Sequence, residues 1–247
     1  MGILLDNGKY QVLENLFSES GYTASVCIDI EAKSNYKPLV FNIYSDPSYI
    51  SAYLPLYYRL ISGGCSYFKR IISGDGCIMA VFSYHKGIPL TDYLKSLPRD
   101  DFEARARAAG LFLDAALELD MLPPALAVSA LSPPNTVYDI RENVVYFNFL
   151  VKPFTSSDEK DILTLLSDYL ENAFVKNRYL PELASDFPAR LKDGRISGLV
   201  AVCSEWRRIS AGALEEYNRY KEESFLGYVK RKSKSRLKTR LKLKEND

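Results

Sequence analysis

Leu131-Ser132-Pro133-Pro134-Asn135-Thr136-Val137-Tyr138-Asp139, with Val144-Val145-Tyr146-Phe147-Asn148-Phe149 close behind, is the stretch around which the chain is arranged. The paired prolines predict a loop, since each fixes φ and removes a backbone donor. Thr136 to Tyr138 and Val144 to Phe147 are short runs of β-branched and aromatic residues. Between them Asp139, Glu142 and Asn143 supply turn chemistry. The stretch therefore reads as a loop that opens a β-hairpin, with Asp139 as a turn acid.

On the N-terminal side, Tyr10–Leu16, Thr23–Ile30 and Pro38–Tyr44 read as three successive strands, separated by polar turns at 18–21 and 33–35. Asp46-Pro47 is a helix entry, an N-cap followed by proline at the first helical position. Ile50, Leu54, Tyr57, Tyr58 and Ile61 then recur at helical spacing, and Pro55 predicts a kink or two short pieces. Tyr67–Ile72 and Cys77–Phe82 read as two further strands around a Gly-rich turn. Pro98-Arg99-Asp100 opens another helix, with Asp100 and Glu103 at capping-box spacing, and Met121 to Pro124 ends it.

On the C-terminal side, Ser156 to Glu159 offers a second capping box, for a helix reaching about Phe174. From Ile196 onward Leu199, Val200, Cys203, Trp206, Leu214 and Tyr217 predict one long helix or two. The final residues, 230–247, hold nine Lys/Arg against two acids, which leaves 23 basic and 29 acidic residues in 1–229. A mildly acidic body thus carries a basic tail.

Composition removes several function classes. A single histidine, His85, excludes a His-rich metal site. Cys27, Cys65, Cys77 and Cys203 are scattered among apolar neighbours with no Cys-x-x-Cys pair, so they read as buried free thiols of a reducing, cytosolic compartment. No apolar run approaches the roughly 18–20 residues of a membrane span. Nucleic-acid binding through the tail is disfavoured, because the body is acidic and aromatic residues are not interleaved with the basic ones. The 18 tyrosines are in excess, and Tyr53, Tyr57 and Tyr58 form either a partner-binding face or part of the core.

In element order the chain resembles a eukaryotic-type protein kinase over roughly residues 8–175. The loop ending in Pro-x-Asn before two short strands is similar to the catalytic loop and metal-binding hairpin. Ser83-Tyr84-His85-Lys86-Gly87-Ile88-Pro89-Leu90-Thr91-Asp92-Tyr93-Leu94 is similar to the hinge and the helix that follows it. The resemblance implies an α+β, two-lobed fold: an antiparallel β small lobe at 1–85, with five strands over about 8–84, a helical large lobe at 86–227, and the basic tail at 228–247. It also implies where the chemistry should sit. The catalytic His-Arg-Asp falls on Val128-Ser129-Ala130, Asp-Phe-Gly on Asn148-Phe149-Leu150, and the lysine of the third strand on Asn42. The Gly-rich loop falls at Phe17–Ala24, where Gly21 is the one glycine and reads as a strand turn, and the helix after Pro47 has no acid to pair with a lysine. Asn135 matches the metal-binding asparagine, either as a ligand or as a tie to nearby backbone. Asp161 matches an aspartate that holds the catalytic-loop backbone.

What this implies is a pseudokinase: no phosphotransfer, no metal, no cofactor, and a scaffold or protein-interaction role. A similar degenerate domain occurs in the membrane-anchored pseudokinase subunit of bacterial type VII secretion. The alternatives are an unorthodox ATP-dependent enzyme on the same fold, or a nucleic-acid or membrane-surface binder acting through the tail. Lys230, Arg231, Lys232, Lys234, Arg236, Lys238 and Arg240 are the residues expected to meet an anionic surface, placing the protein in the cytoplasm at the inner face of a membrane.

Overall fold

The computed structural model describes residues 4–6, 8–32, 37–74, 76–153, 161–224, 226–231 and 233. The first lobe is an antiparallel sheet of β1 (Leu4–Leu5), β2 (Tyr10–Glu19), β3 (Tyr22–Asp29), β4 (Leu39–Tyr44), β5 (Phe68–Gly74) and β6 (Cys77–Ser83), in the order β1-β2-β3-β4-β6-β5. Helix α1 (Pro47–Gly63) leaves β4 and returns to β5, and the strands on either side of it share the sheet. Five strands were expected. The sixth is the two-residue β1, paired through Leu4↔Gln11 and Leu5↔Tyr10.

Side-chain alternation divides this sheet into two faces. Tyr22, Ala24, Val40, Tyr44, Ala80 and Phe82 join the main core, whereas Tyr10, Cys27, Phe41 and Val81 form a small cluster on the other face. Burial pushes the Cys27 thiol up to about 12, as expected of an inert core cysteine. All four cysteines are free thiols, Cys27 and Cys203 buried and Cys65 and Cys77 partly exposed.

Helix α1 is continuous through Pro55, not broken there. Its N-terminus is fixed by Asp46, which accepts from the Ser48 N–H at 2.7 Å. The buried face is Tyr53, Tyr57 and Leu60, while Tyr58 and Ile61 are more than half exposed. Packing of the two tyrosines outweighs the single backbone bond that proline removes. Gly21 stands in the β2–β3 turn at φ +78°, and a Cβ there would lie 2.6 Å from the Asp46 Cβ. Its role is close packing of that turn on the α1 entry.

The linker Tyr84–Gly87 leads into β7 (Ile88–Pro89), which pairs with the hairpin β8 (Thr136–Asp139) and β9 (Val144–Phe147). A Cβ on Gly87 would come within 2.8 Å of the Tyr138 carbonyl oxygen, so glycine permits that approach. Asp139 accepts from the Arg141 and Glu142 N–H groups and closes the hairpin, as its reading as a turn acid required.

Helices α2 (Leu90–Ser96), α3 (Phe102–Ala116), α4 (Pro124–Leu131), α5 (Ile162–Ala173), α6 (Glu182–Lys192) and α7 (Leu199–Glu222) build the second lobe. Asp101, not Asp100, caps α3, accepting from the Ala104 N–H. Two of these helices escape the sequence patterns. Helix α4 lies where a loop was expected; it is apolar all round and so shows no stripe, but its Ala and Leu residues favour helix and Pro124 sits at its first position. Helix α6 carries Pro188, whose carbonyl accepts from the buried Ser167 hydroxyl of α5. Trp206 of α7 closes the core against Phe174 and Phe187. The capping box at 156–159 lies outside the described residues.

Candidate functional site: the cleft between the lobes

Two of the expected site residues, Asn42 from the first lobe and Asn135 from the second, converge on one segment, Asn148–Lys152, which crosses between the lobes. Asn42 sits on the core-facing side of β4 between Val40 and Tyr44, and it is fully buried. Its Nδ2 donates to the Phe149 carbonyl at 2.7 Å, and its Oδ1 accepts from the Val151 N–H at 2.8 Å and the Tyr22 hydroxyl at 2.8 Å. Tyr44 Oη donates to the Val151 carbonyl at 2.6 Å. That bond uses its one proton, so the Tyr57 hydroxyl 2.6 Å away is the donor in their pair. Tyr53 reaches the Lys152 carbonyl at 3.2 Å.

The large lobe grips the same segment from below. Ser129 Oγ donates to the Leu150 carbonyl, and Asn135 Nδ2 donates to the carbonyls of Ser129 at 2.7 Å and Leu150 at 3.2 Å. Asn148 closes on the linker with both amide atoms: Oδ1 accepts from the His85 N–H at 2.8 Å, and Nδ2 donates to the His85 carbonyl at 3.0 Å. Phe149 stacks on Phe82 at 4.8 Å between centroids. Backbone that no ladder satisfies is thus satisfied by side chains from both lobes.

Each expected site residue has a definite place in the structure. Asn42 and Asn148 are structural ties. Ala130 is not in a loop but in the last turn of α4, fully buried in the core, with its carbonyl accepting from Thr136. Asn135 takes the backbone-tying role. Asp161 is exposed and caps α5, accepting from the Thr164 N–H at 2.7 Å, and among the described residues it makes no bond to the 128–135 backbone. His85 is a linker packer, stacked on Tyr146 at 4.0 Å, and burial holds its imidazole below the usual histidine range. Tyr53 and Tyr57 belong to the core rather than to an exposed face, and Tyr58 alone of the three is exposed.

A divalent metal does not fit this donor set. Magnesium favours carboxylates, whereas Asn148 has both amide atoms on the His85 backbone and Asn135 offers a single neutral amide oxygen. Among the described residues no three His, Cys, Asp or Glu side chains cluster to hold a metal. Sequence reasoning missed Tyr44, Ser129 and Lys152 as parts of the clasp; the excess of tyrosine was the available signal. Beside the clasp lies a cavity of about 580 Å³, lined in part by Phe17, Asn135, Leu150, Lys152 and Asp168. The Lys152 ammonium lies 3.7 Å from the Phe17 ring centroid.

Of the tail, Lys230 and Arg231 are described, and Lys232, Lys234, Arg236, Lys238 and Arg240 lie outside the described residues. Arg231 is engaged within the protein: it pairs with Glu223 at 3.0 Å, donates to the Arg178 carbonyl and lies over the Tyr220 ring at 3.5 Å. Packing therefore removes it from the set expected to meet an anionic surface. Among the described residues no helix is long and apolar enough to cross a membrane.

The architecture is matched by solved structures. A double mutant of the Mycobacterium tuberculosis PknI kinase domain superposes with a TM-score of 0.52 at 12% identity, over 85% of this chain and 98% of that one. The fold is protein-kinase-like. The Cydia pomonella granulovirus kinase PK-1 gives a TM-score of 0.51 at 13% identity, over 78% and 92% of the two chains. At such identities the likeness concerns the kinase-like fold alone. No protein-family model matches the sequence, and no curated protein does.

Proposed function

We propose that this chain is a pseudokinase, a kinase-like domain that acts as a scaffold or protein-interaction module and does not transfer phosphate. One observation carries the reading: the side chains at the expected lysine and metal-binding positions, Asn42 and Asn148, are spent on the chain's own backbone. Phosphoryl transfer depends on positioned cations and a catalytic acid. Here the acid position, Ala130, is a core methyl. Any ligand seeking the His85 backbone groups would first have to displace Asn148. The cleft serves to hold the lobes together, and function resides on the surface that this rigid body presents to a partner.

The test is incubation of the purified protein with γ-labelled ATP and Mg²⁺ or Mn²⁺, alone and with generic acceptor proteins. No incorporation is expected. Transfer that disappears on changing Asn135 to Ala would refute the reading. An anionic membrane surface is a second proposed partner, reached through the basic residues beyond Arg231. Retention on anionic vesicles that falls with salt, and that is lost on deleting 232–247, would support it. A secretion-complex setting is the corresponding proposal for where such a scaffold works. Co-purification of the tagged chain with secretion-machinery subunits from its native source would support it, and their absence would count against it.

A further inference from the structure

The cavity beside the clasp has features that the scaffold reading does not use. At about 580 Å³ it is within the size range of small-molecule sites. Its walls are largely apolar, with Phe17, Pro133, Pro134, Leu150 and Leu165 among the lining residues. Two polar features set the chemistry. Asn135 lines the cavity, is 1% exposed, and has an Oδ1 with no hydrogen-bond partner among the described residues, its amide protons being spent on two carbonyls. A buried acceptor left unmade is costly, so a ligand that brings a donor gains by meeting it. The second feature is charge. Lys152 has no carboxylate partner among the described ion pairs and sits over the Phe17 ring, whereas Asp168, the acid of the lining, shares Lys192 at 3.3 Å with Glu171 at 2.8 Å. The lining therefore presents the Lys152 ammonium, the unmet Asn135 acceptor and the buried Tyr169 hydroxyl among largely apolar walls, with the paired Asp168 as its one acid.

We infer that this cavity binds a small aromatic monoanion carrying an N–H or O–H donor. The flat body packs against Phe17 and the prolines, the donor meets Asn135 Oδ1, and the anionic group faces Lys152. A polyanion such as a nucleoside triphosphate suits the site poorly, because a single lysine balances it and no metal donor set assists. The test is a fluorescence titration of the folded protein with anilinonaphthalene sulfonate, which combines an aromatic body, one N–H and one sulfonate. Competition with indoleacetate and with ATP follows, and thermal melts of every variant run alongside. Saturable binding displaced by indoleacetate is expected. It should weaken about tenfold in Lys152→Met, the loss of one charge-assisted contact. Val128→Phe, which fills the cavity from a partly exposed helix position, should abolish it without lowering the melting temperature. Lys152→Met is at an exposed position, so the test holds even if the phenylalanine variant fails to fold. Absence of saturable binding, binding equal in wild type and Lys152→Met, or displacement by ATP but not by indoleacetate would each overturn the inference.

Discussion

Asn42 shows how one side chain can make a cleft into a core. Its position on β4 is fixed by alternation, and its amide is the one group that can donate to the Phe149 carbonyl while accepting from the Val151 N–H. Asn42→Leu keeps the volume but leaves Phe149 O, Val151 N–H and the Tyr22 hydroxyl unpartnered. We expect a loss of about 2–4 kcal/mol in urea unfolding; a loss under about 1 kcal/mol would show that the clasp is not an anchor. Ala130→Asp, the change that would restore an acid at the expected catalytic position, places a carboxylate among fully buried apolar side chains. It should cost roughly 3 kcal/mol or more, read from the same unfolding curves, and should confer no phosphotransfer. A stable variant would mean that this position can face the cleft. The backbone groups that Asn42 bonds on the crossing segment lie more than a hundred residues away, beyond any local pattern.

Among the elements, α3, α5, α6 and α7 are joined by two devices. Arg105 of α3, 3% exposed, donates to the carbonyls of Leu97 and Pro98 before α3 and of Asn172 and Ala173 at the end of α5. A cation at a helix C-terminus complements the macrodipole, and here it also satisfies carbonyls that the helix leaves open. Arg105→Met should cost about 3–5 kcal/mol, because four acceptors lose their donor together. Guanidinium titration would show it, and a loss within 1 kcal/mol would mean that water replaces the arginine. The second device is Glu205 on α7, held between Arg208 and Arg190. The bond from Arg208 is the main cause of its carboxyl standing at about 2 instead of the usual 4.5, and Arg190 adds to it. A carboxyl depressed by folding stabilises fully above its unfolded value and loses that stabilisation as pH falls through the folded one. The stability gap between wild type and Glu205→Gln should therefore be constant above about pH 4.5 and close as pH falls toward 2, measured by denaturant midpoints across that range. A gap that does not change with pH would assign the effect to packing.

At the scale of the whole molecule, the segment 148–152 joins lobes that many two-lobed proteins leave hinged. Every residue of it bonds to one lobe or the other, and Phe149 stacks on Phe82 of the sheet. The two lobes should unfold together. Near-ultraviolet dichroism from the buried tyrosines and far-ultraviolet dichroism from the helices are expected to give coincident melts, and two separated transitions would contradict the clasp. What the sequence by itself determined is what local chemistry encodes: the strands, set by two-residue alternation; the Asp46 and Pro47 helix entry; the hairpin turned at Asp139; and the element order that implied two lobes. The tertiary structure alone decided the rest. Helix α4 has no polar face to reveal its period, so its existence rests on burial, and with it the fate of Ala130 as a core residue. The α1 face turned toward Tyr53, Tyr57 and Leu60 because Tyr44 and the Val151 carbonyl wait there. Asn148 became a tie because the His85 backbone came within reach of its amide. In each case the partner is remote in sequence, and only the folded chain brings it within hydrogen-bonding distance.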